Sequence, residues 1–215
     1  VVAVVLCAVT WTGLTVAAIR GTPPEAAAAE AQGTMEWVDL TPQEVAGVGY
    51  FESEKCGVCH TLGLAKSEKP GPNLGAGGVA RDAAWLIAHF KQPTSKIPGS
   101  QMPPVSLKAS ELNALASFLL KLTPQNAVKM EEIPPYALKG ALLYQKHQCQ
   151  VCHAVNGAGM KSGPELNGLA KRRKSAWVKE HFLNPQKFDP DSVMPAYKFS
   201  PADNEAITSY LMALP

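Results

Sequence analysis

Two five-residue stretches constrain this chain more than any other feature in it: Cys56-Gly57-Val58-Cys59-His60 and its later repeat, Cys149-Gln150-Val151-Cys152-His153. On a helical turn the two cysteines lie at i and i+3 on one face, so both sulfurs can reach the two vinyl groups of one porphyrin. The adjoining histidine is then held over the iron, to which it is one of the standard protein ligands. Two other chemistries use Cys-x-x-Cys, a thioredoxin-like redox pair and half a zinc site. The first needs a βαβ pattern, which is lacking here. The second leaves without a purpose a histidine that recurs at the same place in both copies. Covalent attachment of two haems accounts for all six residues.

A repeat within 215 residues divides the chain into two domains of about 80 residues each. Domains of that size make thin cores and need a staple or a cofactor, and a buried haem supplies the missing apolar bulk. Gly and Pro are plentiful and β-branched alternation is scarce, which predicts an all-α fold of helices joined by long ordered loops. Of five cysteines, four sit in the two motifs, so none remains for a structural disulfide. The fifth, Cys7, follows Val4, Val5 and Leu6 without the small residue expected before a lipidated cysteine. It reads as a packed or lipid-facing thiol.

Residues 1–19 carry no charge, and Arg20 ends the run. Nineteen helical residues rise about 28 Å, close to the roughly 30 Å of a bilayer's hydrocarbon core, so residues 1–20 are expected to form a transmembrane anchor in the lipid bilayer. A cleaved signal peptide is the alternative, with small residues over 26–31, but the apolar run is longer than a typical signal core. Residues 21–40 read as a tether. Their acidic character puts the rest of the chain on the outer side of the membrane. The first repeat runs over 41–122, a proline-containing linker over 123–135 and the second repeat over 136–215.

The two copies align residue by residue. Gly47 and Phe51 precede the first motif as Gly140 and Tyr144 precede the second. Gly71-Pro72-Asn73-Leu74 matches Gly163-Pro164-Glu165-Leu166, Trp85 to Pro93 matches Trp177 to Pro185, and Met102-Pro103 matches Met194-Pro195. Asp82 and Ser175 are expected to cap the tryptophan helices, which Pro93 and Pro185 end, and Ser200-Pro201 starts the last helix. Leu112, Leu115, Phe118 and Leu119 share one face of a final helix, as do Ile207, Tyr210 and Leu211, and each such face should pack on the first helix of its copy.

From the tether onward the chain resembles the class I c-type cytochromes in tandem. That resemblance implies a methionine as sixth iron ligand in the loop before the last helix, usually followed by proline. Met102 and Met194 occupy that place, giving the pairs His60/Met102 and His153/Met194. It also implies that the carbonyls of Pro72 and Pro164 accept a hydrogen bond from the second nitrogen of the haem histidine. Met35, Met130, Met160 and Met212 have no counterpart and read as packing or linker residues. His89 and His181 do repeat, so bis-histidine ligation is the rival, although a surface or buffering role is commoner for a helical histidine. His147 has no equivalent. Trp85 and Trp177 are expected near the propionate edge or simply in the core.

His/Met ligation leaves no open coordination position, which predicts outer-sphere transfer of single electrons and no catalytic acid, base or nucleophile. The chain looks like the membrane-anchored dihaem cytochromes c that accompany bacterial bc-type quinol-oxidising complexes. The expected partners are such a membrane redox complex, in a respiratory or photosynthetic chain, and a downstream electron acceptor. An electron-entry subunit of a haem-copper oxidase and a tethered shuttle to an oxidase or reaction centre are alternatives, and a dihaem peroxidase is the enzymatic one. The expected location is the periplasmic side of a bacterial cytoplasmic membrane. Nucleic acid is excluded as a partner. The second repeat carries ten Lys/Arg against six Asp/Glu, with Lys171-Arg172-Arg173-Lys174 the densest cluster, and this suits a solvated face or steering toward an acidic redox partner.

Overall fold

A computed structural model describes residues 39–62, 68–75, 79–123 and 133–215, all within one compact unit. Among them the chain is helical, with two isolated bridges, Thr61 to Asn73 and Val155 to Ala158. Helix α1 (Pro42–Ser53) begins with a reciprocal cap. The Thr41 hydroxyl accepts from the Glu44 N–H at 3.3 Å, and the Glu44 carboxylate accepts from the Thr41 N–H at 2.8 Å. Pro42 fills the first helical position, where its missing N–H has no helical partner to lose.

Helix α2 (Ala83–Lys91) starts where Asp82 accepts from the Trp85 N–H at 2.7 Å, and it stops ahead of Pro93. A short α3 (Pro93–Lys96) follows, then α4 (Ala109–Lys121). The second repeat runs through α5 (Pro135–Lys146), the short α6 (Leu169–Arg172), α7 (Ser175–Leu183) and α8 (Pro201–Met212). Ser200 caps α8, accepting from the Asp203 N–H at 3.1 Å. Ser175 does not cap α7 as expected. It is the first helical residue, and Lys174, in extended backbone, holds the cap position without a side-chain bond.

The first and last helices of each repeat pack together, α1 on α4 and α5 on α8. A glycine permits each contact. A Cβ on Gly47 would stand 2.2 Å from the Ala114 carbonyl oxygen and 2.5 Å from the Phe118 Cβ. One on Gly140 would stand 2.2 Å from the Tyr210 Cβ and 2.7 Å from the Ala206 oxygen. Leu112, Leu115 and Phe118 are buried beneath the first crossing, and Ile207, Tyr210 and Tyr144 beneath the second. Each such side chain contributes about 1.5–3 kcal/mol by leaving water.

The repeats also pack on one another, α1 against α5. Gly49 lies against Leu142, whose Cδ1 would stand 3.0 Å from an added Cβ. The Asn156 amide of the second repeat donates to the Leu40 carbonyl at 2.7 Å. Helix α1 is thus enclosed from two directions, and Val45, Ala46, Val48, Gly49 and Phe51 are all buried.

The expected fold class requires correction. Among the described residues no helix is long and apolar enough to cross a membrane. The stretch 1–20, expected to be a transmembrane anchor, lies outside the described residues, as does Cys7. What remains is an all-α arrangement of two similar helical repeats.

Replacing Gly140 with Ala drives a methyl group into the α8 backbone, which cannot rotate away. This variant is expected to lose about 1–3 kcal/mol of stability, measured as a lowered urea midpoint with an unchanged slope.

Candidate haem sites

Each Cys-x-x-Cys-His motif sits directly after the first helix of its repeat. Lys55 and Gln148 reverse the chain there in left-handed backbone, with φ of 57° and 55°. A single 3-10 turn follows in each copy, Cys56–Val58 and Cys149–Val151. The Cys59 N–H donates to the Cys56 carbonyl and the Cys152 N–H to that of Cys149, both at 3.1 Å. In a 3-10 turn residues i and i+3 eclipse, so the two sulfurs of each motif project from one side. His60 and His153 close the turns by donating their N–H groups to the same cysteine carbonyls at 2.9 and 2.8 Å.

The histidine rings are fixed by the loops that follow. His60 Nδ1 lies 2.9 Å from the Pro72 carbonyl oxygen, and His153 Nδ1 lies 2.8 Å from that of Pro164. A carbonyl can only accept, so Nδ1 carries the proton and Nε2 keeps the lone pair that a metal needs. The loops come close because Gly71 and Gly163 have no side chain. A Cβ on either would stand 2.7 Å from the Cε1 of its histidine. Backbone bonds tie the same segments, Gly71 N–H to the Cys59 carbonyl at 2.9 Å and Gly163 N–H to that of Cys152 at 2.7 Å.

The methionine loops are tied to the tryptophan helices. The Val105 N–H donates to the Phe90 carbonyl at 2.8 Å, and the Tyr197 N–H to the Phe182 carbonyl at 2.7 Å, each bond three residues past its methionine. Met102 N–H bonds the Ser100 hydroxyl at 3.2 Å, and Met194 N–H bonds that of Ser192 at 3.3 Å. Both methionines are partly buried against the core. Sequence reasoning missed these serines, although Ser-x-Met-Pro is repeated and could have drawn notice.

Trp85 stacks on His89 with ring centroids 4.9 Å apart, and Trp177 on His181 at 4.5 Å. Arg81 and Arg173 cover the tryptophan faces at 5.0 and 4.6 Å. Burial is the main cause lowering the pKa of both histidines. The neighbouring His60 adds to it for His89, and His153 and Arg173 add to it for His181.

These residues fit haem c attachment. The cysteine pair, the adjoining histidine with its free Nε2 and the glycine cradle behind the ring are all in place twice. Among the described residues no group of three or more His, Cys, Asp or Glu could hold a metal ion by itself. Burial also pushes the Cys56 thiol up to about 11 and the Cys149 thiol up to about 12, unlike the ready thiolates of redox pairs.

Comparison with known proteins agrees with this geometry. The family model described as Cytochrome c matches residues 44–123 and again 137–215. The chain belongs to the cytochrome c family. Cytochrome c of Gossypium barbadense is 31% identical over 104 residues, covering 38% of this chain and 93% of the relative. That of Sesamum indicum is 30% identical over 104 residues with the same coverage. No solved structure gives a significant match. This cytochrome carries two covalently bound c-type haems and works in haem electron transfer.

Two outcomes follow from these sites. Mass spectrometry of the denatured protein is expected to show two haem adducts per chain, because thioether bonds survive unfolding. The second concerns pH. His89 and His181 sit below the ordinary value of 6.5 in the folded state, so the unfolded chain binds more protons in acid. Their contribution to stability is full above about pH 6.5 and is lost as the pH falls through the folded-state values. The urea midpoint should drop between about pH 7.5 and pH 5.5, less so in the His89→Gln, His181→Gln double variant.

Proposed function

We propose that this cytochrome carries single electrons from a bc-type quinol-oxidising complex to a downstream acceptor, and that it works on the outer side of a bacterial cytoplasmic membrane. The observation that carries the reading is duplication of a complete frame. Each repeat has a histidine with its Nδ1 engaged by a proline carbonyl and a methionine in a loop pinned to the neighbouring helix. His60 with Met102, and His153 with Met194, are the residues that would hold the two irons. When bound, each haem supplies one-electron redox chemistry.

The chain's own residues then have limited duties. Cys56, Cys59, Cys149 and Cys152 would anchor the porphyrins, the histidines and methionines would ligate the irons, and Pro72 and Pro164 set the histidine orientation. With a histidine and a methionine both holding the iron, neither site would be open to a substrate, which sets this reading apart from a peroxidase. A redox partner meets a frame that need not rearrange.

The test of the partner is gentle extraction of the native assembly. Copurification with cytochrome b, together with reduction of both haems on adding quinol, is the expected result. Copurification with a copper-containing oxidase, with reduction only by another cytochrome, would move the assignment to an electron-entry subunit. For the ligands, Met102→Ala and Met194→Ala are each expected to open one haem to carbon monoxide and lower its midpoint potential while the other haem is unchanged. Rapid carbon monoxide binding to the unaltered protein would overturn the assignment.

A further inference from the structure

We infer that Arg172 and Tyr144 are positioning residues for the second haem, acting through His153, and that they make its site unequal to the first. Arg172 donates through Nη1 to the Asn167 carbonyl and through Nη2 to the Glu165 carbonyl, both at 2.7 Å. Glu165 adjoins Pro164, whose carbonyl receives the His153 Nδ1–H. The planar guanidinium fork therefore pins the loop just beyond the oxygen that orients the ring.

The same loop is fastened to the segment after His153. Leu166 N–H donates to the Ala154 carbonyl at 2.9 Å. The Asn167 amide donates to the Asn156 side-chain oxygen at 2.6 Å, and the Asn156 N–H donates back to the Asn167 oxygen at 2.8 Å. Tyr144, fully buried, donates its hydroxyl proton to the His153 carbonyl at 2.7 Å. His153 is thus held at its ring and at its backbone by groups of fixed geometry.

The first repeat answers differently at both positions. In the alignment set by the Gly-Pro-x-Leu and tryptophan segments, Ala80 stands where Arg172 does. Phe51, which has no hydroxyl, stands where Tyr144 does. The His60 carbonyl is instead met at 3.3 Å by the ammonium of exposed Lys69, which also reaches the Gly57 carbonyl. An ammonium on a flexible four-carbon stem holds a carbonyl less rigidly than a buried phenol. The Nδ1–H bond raises the basicity of a ligating histidine, so how firmly it is held bears on the potential of the iron.

This inference rests on His153 being an axial ligand, and the experiment separates the two. The full haem-loaded chain, its Arg172→Lys variant and its Tyr144→Phe variant are titrated potentiometrically, with the haems told apart by hyperfine-shifted NMR signals from 15N-labelled histidine. Arg172→Lys keeps the charge and loses the fork. Its second haem is expected to shift upward in potential, because a slacker Nδ1–H bond makes a poorer donor, and its first haem to stay unchanged. Tyr144→Phe reproduces the first repeat's residue and is expected to shift the second haem alone. Should Arg172→Lys fail to fold, the Tyr144→Phe result decides. Potentials that stay put in both variants, or shift equally at both haems, overturn the positioning role even if thermal stability falls. Absence of a shifted imidazole signal at the second haem in the unaltered protein overturns the ligand assignment and the inference together.

Discussion

The close crossing of the first and last helices is the constraint on which each repeat depends. At Gly47 and at Gly140 the two backbones approach so nearly that a methyl group would overlap the opposite helix. That contact joins the ends of the repeat. Among the described residues, the chain between them runs largely outside helices and still buries Leu62, Ala154 and Val155. The loops can keep a fixed shape because they are bonded to the haem histidine and to the tryptophan helix. Phe118 and Tyr210, packed at the crossings, stabilise the closure on which those loops hang.

From that closure the site follows almost mechanically. The first helix ends, a left-handed residue turns the chain, and the cysteines emerge on a 3-10 turn next to the core. The histidine that follows faces a loop with a glycine where any side chain would collide. A proline carbonyl then fixes which nitrogen carries the proton. The order of these events is the same in both repeats, so differences between the two sites must come from what surrounds the shared frame. Lys69 on one side, and Tyr144 with Arg172 on the other, are such differences.

Much of this was legible in the sequence because the repeat separates signal from accident. Residues that recur at matched offsets, such as Gly47 with Gly140, sit where a physical demand recurs. Caps were legible where one residue settles them, as at Asp82 and Ser200. Ser175 misled because serine is acceptable both as a cap and as a first helical residue, and the difference lies in one backbone angle. Lys55 and Gln148 gave no warning of left-handed backbone, since no glycine marks the turn. The Arg172 fork and the Asn156 bond to Leu40 were invisible because they join residues whose nearness only the folded chain creates. The apolar stretch at 1–19 lies outside the described residues, among which no helix is long and apolar enough to cross a membrane.

Packing of the two repeats on one another adds a constraint that neither has alone. Gly49 and Leu142 meet across the contact of α1 with α5, and they occupy the same position of the repeat. A contact between equivalent positions is what an approximate two-fold relation produces. Such a relation places each residue near the axis opposite its own counterpart, so size must be settled pairwise. Two leucines there would crowd the helices, and two glycines would leave a gap. One of each fills the space, which means that the repeats could not be identical at this point and still pack so closely. Because α1 and α5 lead directly into Cys56 and Cys149, the same contact holds the two haem motifs in a single unit. The two motifs therefore stand in a set relation to one another, as they would not on two loosely tethered domains.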